Sequence, residues 1–340
     1  PYVVHRFADG SKDWLFDGFL FLEFKDGSGR NYTVGYEKLN ARRTEWEWLL
    51  DRIFEQGKSL SALDRCIGQE IKELGKPAFR HQIVLGLPEA IRGQKDWGKL
   101  DGREMDFSKE EDQIAATKWY IGELVERFKA AKYKHLELSG FYWVAEDTHH
   151  CAELTIPLSE YIHSEGKLFY WIPYWQAKGH EEWKRLGFDV AYQQPNHFFN
   201  HSIPDSRLDE ACATARRHGM AMEFEFDEKA TAAIPNSSYD RMVAYIDHFE
   251  KNDVFNSSAV AYYCGNRGVL TLDESDNPKD KALMDRLARI IQARRYLKYG
   301  IPMKNKTRVV AHRGFWHTDG SAQNSIASLL KADQLGVYGV

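Results

Sequence analysis

Seven short apolar or aromatic runs, with helical segments between them, constrain the fold of this 340-residue chain more than any other feature. The runs occupy residues 17–24, 82–87, 136–145, 168–175, 190–194, 220–226 and 259–263. Strict alternation of strands and helices indicates parallel strands, because a parallel connection needs a long crossover that a helix supplies. We therefore predict an α/β domain built on a parallel sheet.

A (β/α)8 barrel of the TIM type is the fold that this alternation favours, and a doubly wound open sheet is the alternative. The eighth strand would be residues 2–6 (YVVHR), or a first strand that the chain lacks. The chain opens on Pro1 without a Met or an apolar leader, so we expect a mature or trimmed form. The predicted barrel covers residues 1–300.

The amino-acid composition limits the classes of molecule that this protein is expected to bind. The formal net charge is −4 and no long Lys/Arg run occurs, so nucleic acid is not an expected partner. No 18-residue apolar stretch is present, and we predict no membrane span. The 14% of aromatic residues suits a pocket for a carbohydrate substrate. Oligomeric state and compartment stay open, and a secreted or periplasmic location in a bacterium is compatible with the sequence.

Carboxyl groups end two of the predicted strands. Glu146 follows the third run, and the segment MAMEFEFD (residues 220–227) places Glu223, Glu225 and Asp227 on one face, because side chains alternate along a strand. Loops at the C-terminal ends of parallel strands carry catalytic groups in barrel enzymes. Glycoside hydrolysis needs two carboxyl groups that flank the scissile bond. We predict Glu146 as the acid/base and Glu225 as its partner, ahead of Glu223 and then Asp227.

The barrel hypothesis places four acids, Glu23, Glu89, Glu146 and Glu225, at one end. An apolar wall of Phe141 and Trp143 is expected to raise the pKa of Glu146 by desolvation. The alternative is structural: Glu223 and Glu225 would be ion-paired interior acids, and Glu146 a solvated loop residue.

Several aromatic and polar residues at strand ends are candidate sugar-binding groups, with core packing or loop capping as the alternative. They are Glu23, Trp143, Tyr174, Trp175, Gln193, Gln194, Asn196 and Tyr263, with His180 and His197 as weaker candidates. The segment EDTHHCAE offers Asp147, His149, His150 and Glu153 to a metal, but adjacent His side chains diverge, so a polar loop is favoured. The four cysteines are scattered, without CxxC spacing, and no P-loop or GxGxxG motif occurs. We therefore predict no metal and no cofactor.

The segments DGFLFLEF, GFYWVAE, IPYWQA and GMAMEFEFDE together resemble an uncharacterised bacterial family, a domain of unknown function with a glycosidase-like TIM barrel. The resemblance covers about residues 1–300 and implies a carbohydrate-related barrel. In the large clan of retaining barrel glycosidases, the acid/base and the nucleophile come from the fourth and seventh strands. Glu146 and Glu225 take these places if one N-terminal strand is added to the count.

A second resemblance starts at Val309. The segment VVAHRGFWHTDGSAQNSIASLLKADQLGVYG resembles the opening of a glycerophosphodiester phosphodiesterase domain, which would cover residues 308–340 after a linker at 301–307. The resemblance implies a catalytic His312, a phosphate-binding Arg313 and a motif residue Asn324, whereas Gln323 and Ser325 depart from the usual Glu and Thr. The metal-binding Glu-x-Asp of that family would follow Gly339. We therefore expect only a short fragment of a second barrel, inert by itself, and a divalent metal only in a complete domain.

The function that these observations favour is a carbohydrate-active hydrolase of the glycoside hydrolase type. One alternative is a metal-dependent glycerophosphodiester phosphodiesterase of which this chain carries only the start, in a parent that fuses two hydrolase modules. Another is a noncatalytic carbohydrate-binding module. The sugar, the linkage and the choice between retention and inversion stay open.

Overall fold

The computed structural model describes residues 1–149, 151–300, 310–316, 318, 320–335 and 337–339. The strands in these residues are β1 Val4–Arg6, β2 Lys12–Trp14, β3 Gly18–Phe21, β4 Arg30–Asn31, β5 Leu39–Asn40, β6 His81–Leu87, β7 Lys99–Leu100, β8 Arg103–Glu104, β9 Leu136–Trp143, β10 Leu168–Trp171, β11 Val190–Gln193, β12 Ala221–Glu225 and β13 Val260–Tyr263. The α-helices are α1 Arg43–Ile53, α2 Ser59–Leu74, α3 Glu110–Ala131, α4 Ala152–Ser164, α5 Ser206–His218, α6 Tyr239–Lys251, α7 Val254–Ser257, α8 Gly268–Glu274, α9 Pro278–Tyr299 and α10 Ile326–Gln334.

Seven strands form the central sheet, in the order β13-β12-β11-β10-β9-β6-β3. Every neighbouring pair is parallel, and each strand lies beside the previous sheet strand of the chain. The sheet is curled into a half-barrel, with helices packed on its convex side. The seven predicted strands and their parallel direction are confirmed. No pairing joins the edge strands β3 and β13 in the described part of the chain.

The prediction of an eighth sheet strand at residues 2–6 is wrong. Strand β1 pairs antiparallel with β2, so the N-terminus forms a hairpin instead of a further barrel strand. The connection is too short for a crossover, and Gly10 turns the chain with a φ of 80°. The hairpin is held against α9, where His5 Nε2 lies 2.6 Å from Asp285 Oδ1 and Arg295 donates to the carbonyl of Trp14 (2.6 Å).

The two faces of the sheet bury different side chains. The convex face and the helices share a large apolar core to which Leu85, Phe141, Trp143, Phe169 and Phe224 belong. The concave face carries a smaller cluster of Tyr142, Val144 and Ile172, with Leu20, Leu22, Phe24, Val84, Tyr170, Tyr192 and Ala261 packed around it. The residues packed around the concave cluster are only partly buried, and the cluster borders the cavity described below.

A bulge in β9 decides which of its residues face the helices. Ile83 pairs with Leu138 but Val84 pairs with Gly140, so Ser139 is an extra residue in the ladder. The strands crowd here: a Cβ on Gly140 would stand 2.0 Å from the carbonyl oxygen of Leu168, so only glycine fits. After the bulge the alternation is shifted by one residue.

The C-terminal segment forms a small βα arrangement of its own. A parallel bridge joins Val310 to Gly339, and α10 lies between them in sequence, capped by the hydroxyl of Ser325, which accepts from the Ser328 amide. In the described residues, no helix combines the length and the apolar character that crossing a lipid bilayer would require.

Candidate active site

A cavity of about 1110 Å³ opens on the concave face of the half-barrel. Its wall includes the carboxylic side chains of Glu146, Glu223 and Glu225, together with those of Asp17 and Glu23 on either side of β3. The cavity also extends along both edge strands towards the N-terminal end of the sheet. Its volume is at the upper end of the range for small-molecule sites, about 300–1,000 Å³.

Two of these acids come from β12. Glu223 and Glu225 face the cavity, and Phe224 between them faces the helices, where its ring lies 4.8 Å from that of Tyr245 and 5.6 Å from that of Phe249. The alternation of β12 therefore buries an apolar residue on one side and presents two carboxyl groups on the other.

Glu225 is held by hydrogen-bond donors. The Tyr245 hydroxyl donates to Glu225 Oε2 at 2.5 Å, and the backbone N–H of His197 donates to the same oxygen at 3.3 Å. Burial raises the pKa of Glu225 to about 7, although these donors and the backbone N–H of Asn196 act in the opposite direction. Glu225 is thus a carboxyl group that changes charge near neutral pH and whose ionised form has three donors.

Glu223 lies two residues deeper and is only 3% exposed. Burial holds its pKa well above the ordinary value, and the nearby Glu225 and Glu146 raise it further, against a hydrogen bond from Gln194. Its Oε2 has no hydrogen-bond partner among the described residues. Burial and its acidic neighbours therefore favour the neutral form of Glu223.

Glu146 lies three residues beyond the end of β9. Burial raises its pKa, as does the charge of Asp147, whereas a hydrogen bond from Gln194 lowers it. Within the described part of the chain, none of the three acids forms an ion pair with Lys, Arg or His. The three acids thus lie together in one cavity without an ion-pair partner of their own, which favours protonation of at least one of them.

Aromatic side chains form the rim of the cavity. Phe24 and Tyr36 are stacked, with ring centroids 4.6 Å apart and an interplanar angle of 5°. Phe199 and Tyr263 meet edge to face at 5.8 Å. Burial raises the pKa of Tyr36 to about 12, and the charges of Glu146 and Tyr263 contribute, so the rim and the acids are close together. Of these four rim residues, the sequence analysis predicted only Tyr263. Phe24, Tyr36 and Phe199 lie in loops, and an aromatic residue in a loop was the one sequence feature that could have indicated them.

Seven of the sequence-predicted residues line this cavity. They are Glu23, Glu146, Gln194, Asn196, Glu223, Glu225 and Tyr263. Glu23 is exposed at the mouth, and Gln194 and Asn196 follow β11.

Four other predicted sugar-binding residues lie elsewhere. Trp143 is in the convex core, with its ring centroid 6.0 Å from that of Phe169, and Gln193 is fully buried on the same side. Tyr174 donates to Asp147 Oδ2 at 3.1 Å, and the ring of Trp175 lies under the guanidinium of Arg207 at 4.6 Å. The bulge in β9 places Tyr142, and not Phe141 or Trp143, on the cavity side. The prediction that Phe141 and Trp143 form an apolar wall beside Glu146 is therefore wrong.

Three further polar groups from the sequence analysis also lie outside the cavity lining. Glu89 accepts from the Thr33 hydroxyl at 2.7 Å, and Asp227 accepts from the amide of Lys229 at 2.7 Å. His180 Nδ1 lies 2.6 Å from the carbonyl of Ala177. His150 of the EDTHHCAE segment lies outside the described residues, which themselves contain no group of three or more His, Cys, Asp or Glu side chains suited to a metal ion.

The residues of the phosphodiesterase-like motif lie in the C-terminal segment. His312 is exposed, Arg313 Nη1 donates to Gln323 Oε1 at 2.5 Å, and the backbone N–H of Asn324 donates to the carbonyl of Arg313 at 3.0 Å. Arg313 and Asn324 both have positive φ angles, of 69° and 55°. These contacts form a compact turn.

Comparison with known proteins identifies a family and a distant structural similarity. Residues 1–289 match the model of a family described as Domain of unknown function (DUF4855). Among solved structures, the chain is similar to the crystal structure of a "putative alpha-L-fucosidase" from Bacteroides thetaiotaomicron VPI-5482. The two share 13% sequence identity over 82% of this chain and 93% of that chain, with a TM-score of 0.43. No curated protein matches the sequence.

Proposed function

We propose that this chain, which belongs to the family Domain of unknown function (DUF4855), is a glycoside hydrolase whose chemistry is carried by Glu146 and Glu225. The observation that carries the proposal is a cavity with an aromatic rim in which Glu146, Glu223 and Glu225 lie together and form no ion pair within the described part of the chain. Glycoside cleavage needs a pair of carboxyl groups that flank the scissile bond, and the aromatic rim offers apolar faces against which a sugar ring can pack.

The environments of the two acids suit different roles. Glu225 has three donors for its ionised form, as a nucleophile or a water-activating base requires. The pKa of both acids is raised, so the number of donors separates their roles: Glu146 has one donor that favours its ionised form and is therefore assigned as the proton donor. In the proposed reaction, Glu146 gives its proton to the leaving glycosidic oxygen. Glu225 either attacks the anomeric carbon or takes a proton from the attacking water, depending on the separation of the two carboxyl groups.

The charge of the cavity favours an uncharged glycan. The basic residues in its lining, Arg80, Arg294, Arg295 and Lys298, belong to the N-terminal end of the sheet or to α9. Arg294 donates to the carbonyls of Phe255 and Ser258, and Arg295 Nη2 lies 2.8 Å from Asp13. An anionic sugar would therefore meet carboxylates without a compensating cation. We expect a neutral aryl glycoside to be cleaved roughly tenfold or more faster than the corresponding glucuronide, because like-charge contacts cost several kcal/mol.

The structural alternative is an ion-paired interior, and the noncatalytic alternative is a binding module. The contacts of Glu223 and Glu225 argue against ion pairing, since their partners are neutral donors and each other. Binding of glycans without any hydrolysis, unaffected by loss of the acids, would instead establish a carbohydrate-binding module.

A panel of neutral aryl glycosides and oligosaccharides tests the proposal. Wild-type protein is compared with Glu146→Gln and Glu225→Gln, and Glu126→Gln, on the exposed side of α3, is the matched control. The amides keep the shape but remove proton transfer or attack, so hydrolysis should fall while Glu126→Gln keeps the wild-type rate. Wild-type rates in both cavity variants would remove these acids from the mechanism.

We also propose that the half-barrel is a (β/α)8 barrel in which one strand position, between β3 and β13, is not filled by a strand. Side chains bridge the two edges here: the ring of Phe16 lies 5.1 Å from that of Tyr262, and the cavity follows both edges. Glu146 and Glu225 come from sheet strands three apart, the spacing of the acid pair in retaining barrel glycosidases. An experimental structure in which β3 pairs directly with β13 would contradict this proposal.

For residues 308–340 we propose the beginning of a glycerophosphodiester phosphodiesterase-like domain. The parallel bridge from Val310 to Gly339 and the intervening α10 support it, since a strand, a helix and a second parallel strand open any barrel of this type. We expect no hydrolysis of glycerophosphodiesters by this chain with added divalent metal. Metal-dependent turnover that disappears on His312→Ala would overturn that expectation.

A further inference from the structure

One short segment contacts all three carboxyl groups. Residues 194–197 follow β11, and Gln194 lines the cavity together with Glu146 and Glu223, where its amide acts as a donor that lowers the pKa of both. The backbone N–H groups of Asn196 and His197 are directed to Glu225. The segment therefore connects acids that come from two separate parts of the sheet.

A chain of hydrogen bonds fixes which end of the Gln194 amide faces the acids. The backbone N–H of Trp175 can only donate, and it donates to Asn196 Oδ1 at 2.6 Å. The other end of the Asn196 amide is therefore Nδ2, which donates to Gln194 Oε1 at 2.7 Å. It follows that Gln194 presents Nε2, with its two N–H donors, towards Glu146 and Glu223.

We propose that Gln194, oriented by Asn196 and the Trp175 amide, is a positioning residue that holds Glu146 and Glu223 on the two N–H groups of one side chain. This inference rests on the proposed function in treating Glu146 as the acid/base, although its geometry stands without it. Gln194 is 9% exposed, so water competes little for these donors. The amide is neutral, and it steadies the negative charge of its partners without neutralising it, as a Lys or Arg would.

The segment is itself anchored from the outside. Arg241 Nε donates to the His197 carbonyl at 3.2 Å and its Nη2 to the Asn200 carbonyl at 3.0 Å. His197 Nε2 lies 2.8 Å from Asp205 Oδ1. Asn196 has a φ of 51°, a left-handed conformation that Asn tolerates better than most residues and Gly tolerates best. These anchors keep the two backbone N–H groups aimed at Glu225.

The proposed role of Gln194 is tested directly by measuring the pKa values of the three acids. Other titratable groups close to the acids can influence these values. Glu146, Glu223 and Glu225 influence one another, and the other titratable or charged groups nearby are Tyr36, Tyr142, Asp147, Tyr174, His197, Asp205, Arg241, Tyr245, Tyr263 and Cys264. Gln194→Leu removes both donors and changes none of these groups. Asn196→Gly keeps the left-handed backbone and its N–H but removes the side chain that orients Gln194. Gln193→Leu is the matched control, a neighbouring buried glutamine on the opposite face.

The experiment is a pH titration of the side-chain carboxyl carbons by NMR on protein labelled with 13C-glutamate. The three cavity signals are assigned with single Glu→Gln variants. We expect the midpoints of Glu146 and Glu223 to shift upward in Gln194→Leu, because burial then acts unopposed, and to shift less in Asn196→Gly. Glu225 keeps its own donors and should move least. Gln193→Leu should leave all three midpoints at their wild-type positions.

Unchanged midpoints in Gln194→Leu, or equal shifts in Gln193→Leu, would overturn the proposal. Far-UV circular dichroism and thermal unfolding of each variant show whether the fold is kept, and Asn196→Gly provides the test if Gln194→Leu does not fold. The titration needs no substrate, so it decides the role of Gln194 even if no glycan is cleaved. Once a substrate is known, the acid limb of the pH–rate profile should move upward in Gln194→Leu, with a larger change in kcat than in KM.

Discussion

Asp112 and Asp280 are buried as deeply as Glu223 and Glu225, yet their surroundings differ in kind. Asp112 accepts from Arg103 at 2.6 Å and from the Asp106 amide at 2.9 Å. Burial alone would raise the pKa of Asp112, but these two donors hold it below the ordinary value.

Asp280 accepts from the Thr231 hydroxyl, from the Ala232 amide at 2.7 Å and from the Ser275 hydroxyl at 2.6 Å. It therefore ties α9 to the segments before α6 and α9. The acids of the scaffold thus have donors that compensate their desolvation, whereas the pKa values of Glu223 and Glu225 are raised. An uncompensated acid costs folding free energy, and such groups are concentrated at functional sites.

The largest expected effect is on the rate of glycoside hydrolysis, which should depend on the cavity acids and not on the scaffold acids. Glu225→Gln should lower glycoside hydrolysis by a factor on the order of 10²–10⁴ with the fold intact, as is typical when a carboxyl group of this chemistry is lost. Asp112→Asn should leave the rate per folded molecule at the wild-type level. The measurement is initial rate on a substrate that the wild type cleaves, normalised to folded protein by circular dichroism. If Asp112→Asn lost as much rate as Glu225→Gln, the proposed difference between scaffold acids and cavity acids would be contradicted.

The next effect concerns stability. Asp280→Ala should lower the free energy of unfolding by on the order of 3 kcal/mol, because two hydroxyls and one buried amide lose their acceptor. Glu223→Gln should not destabilise the protein, because Gln has the shape of the neutral acid that is already present. Urea unfolding at pH 7 measures both. Equal destabilisation by the two substitutions would show that Glu223 is a structural acid as well.

The pH dependence of stability should separate Glu225 from the scaffold acids. Its pKa is about 7 in the folded state and 4.5 for an unperturbed glutamate, so the folded protein binds more protons between these values. The free energy of unfolding that this group contributes is therefore fully present below pH 4.5 and is lost as pH rises through about 7. Glu225→Gln should consequently gain roughly 2 kcal/mol relative to the wild type between pH 4.5 and pH 8. A pH-independent difference between the two proteins would contradict the raised pKa.

The smallest expected effect comes from the opposite end of the sheet. His81, at the start of β6, lies among Trp14, Phe19 and Phe79, and neither ring nitrogen has a partner in the described residues. Burial lowers its pKa to about 4, and the nearby His135 and Arg295 contribute. The unfolded chain then binds more protons between pH 4 and 6.5, so stability falls as the pH falls through this range.

His81→Leu should remove that part of the acid sensitivity and gain roughly 1 kcal/mol over the wild type at pH 5.5. Thermal unfolding at pH 7.5 and pH 5.5 measures the difference. His197, with a pKa of about 4, supplies a similar dependence that His81→Leu leaves in place. An acid sensitivity that is unchanged in His81→Leu would show that the ring is hydrated.

Much of the fold was predictable because it depends on local patterns. Each of the seven predicted runs contains a strand of the sheet, since β-favouring residues between helical segments leave little choice of element or direction. The position of residues 2–6 was not predictable in this way. Whether a short strand joins the sheet or a hairpin depends on what it packs against, and here it packs on α9, more than 270 residues later in the chain.

The candidate site likewise has one part that could be predicted from the sequence and one part that could not. In β12 the order Met222, Glu223, Phe224, Glu225 indicates the two faces by itself, because polar and apolar residues alternate. In β9 both faces are buried and the bulge at Ser139 shifts the alternation, so counting from Leu136 puts Trp143 on the wrong side. A ladder defect has no reliable signature in a run that is apolar throughout.

Local patterns in the chain were enough to predict the order of strands and helices, their parallel direction, and the presence of carboxyl groups at two strand ends. The tertiary structure decided which side chains meet: the aromatic rim, the Tyr245 donor on Glu225 and the amide of Gln194 between Glu146 and Glu223. The physical reason is the distance along the chain over which each effect acts. Periodicity and propensity act over a few residues, whereas burial, hydrogen-bond donors and neighbouring charges come from segments that are distant in the chain and set the protonation of each acid.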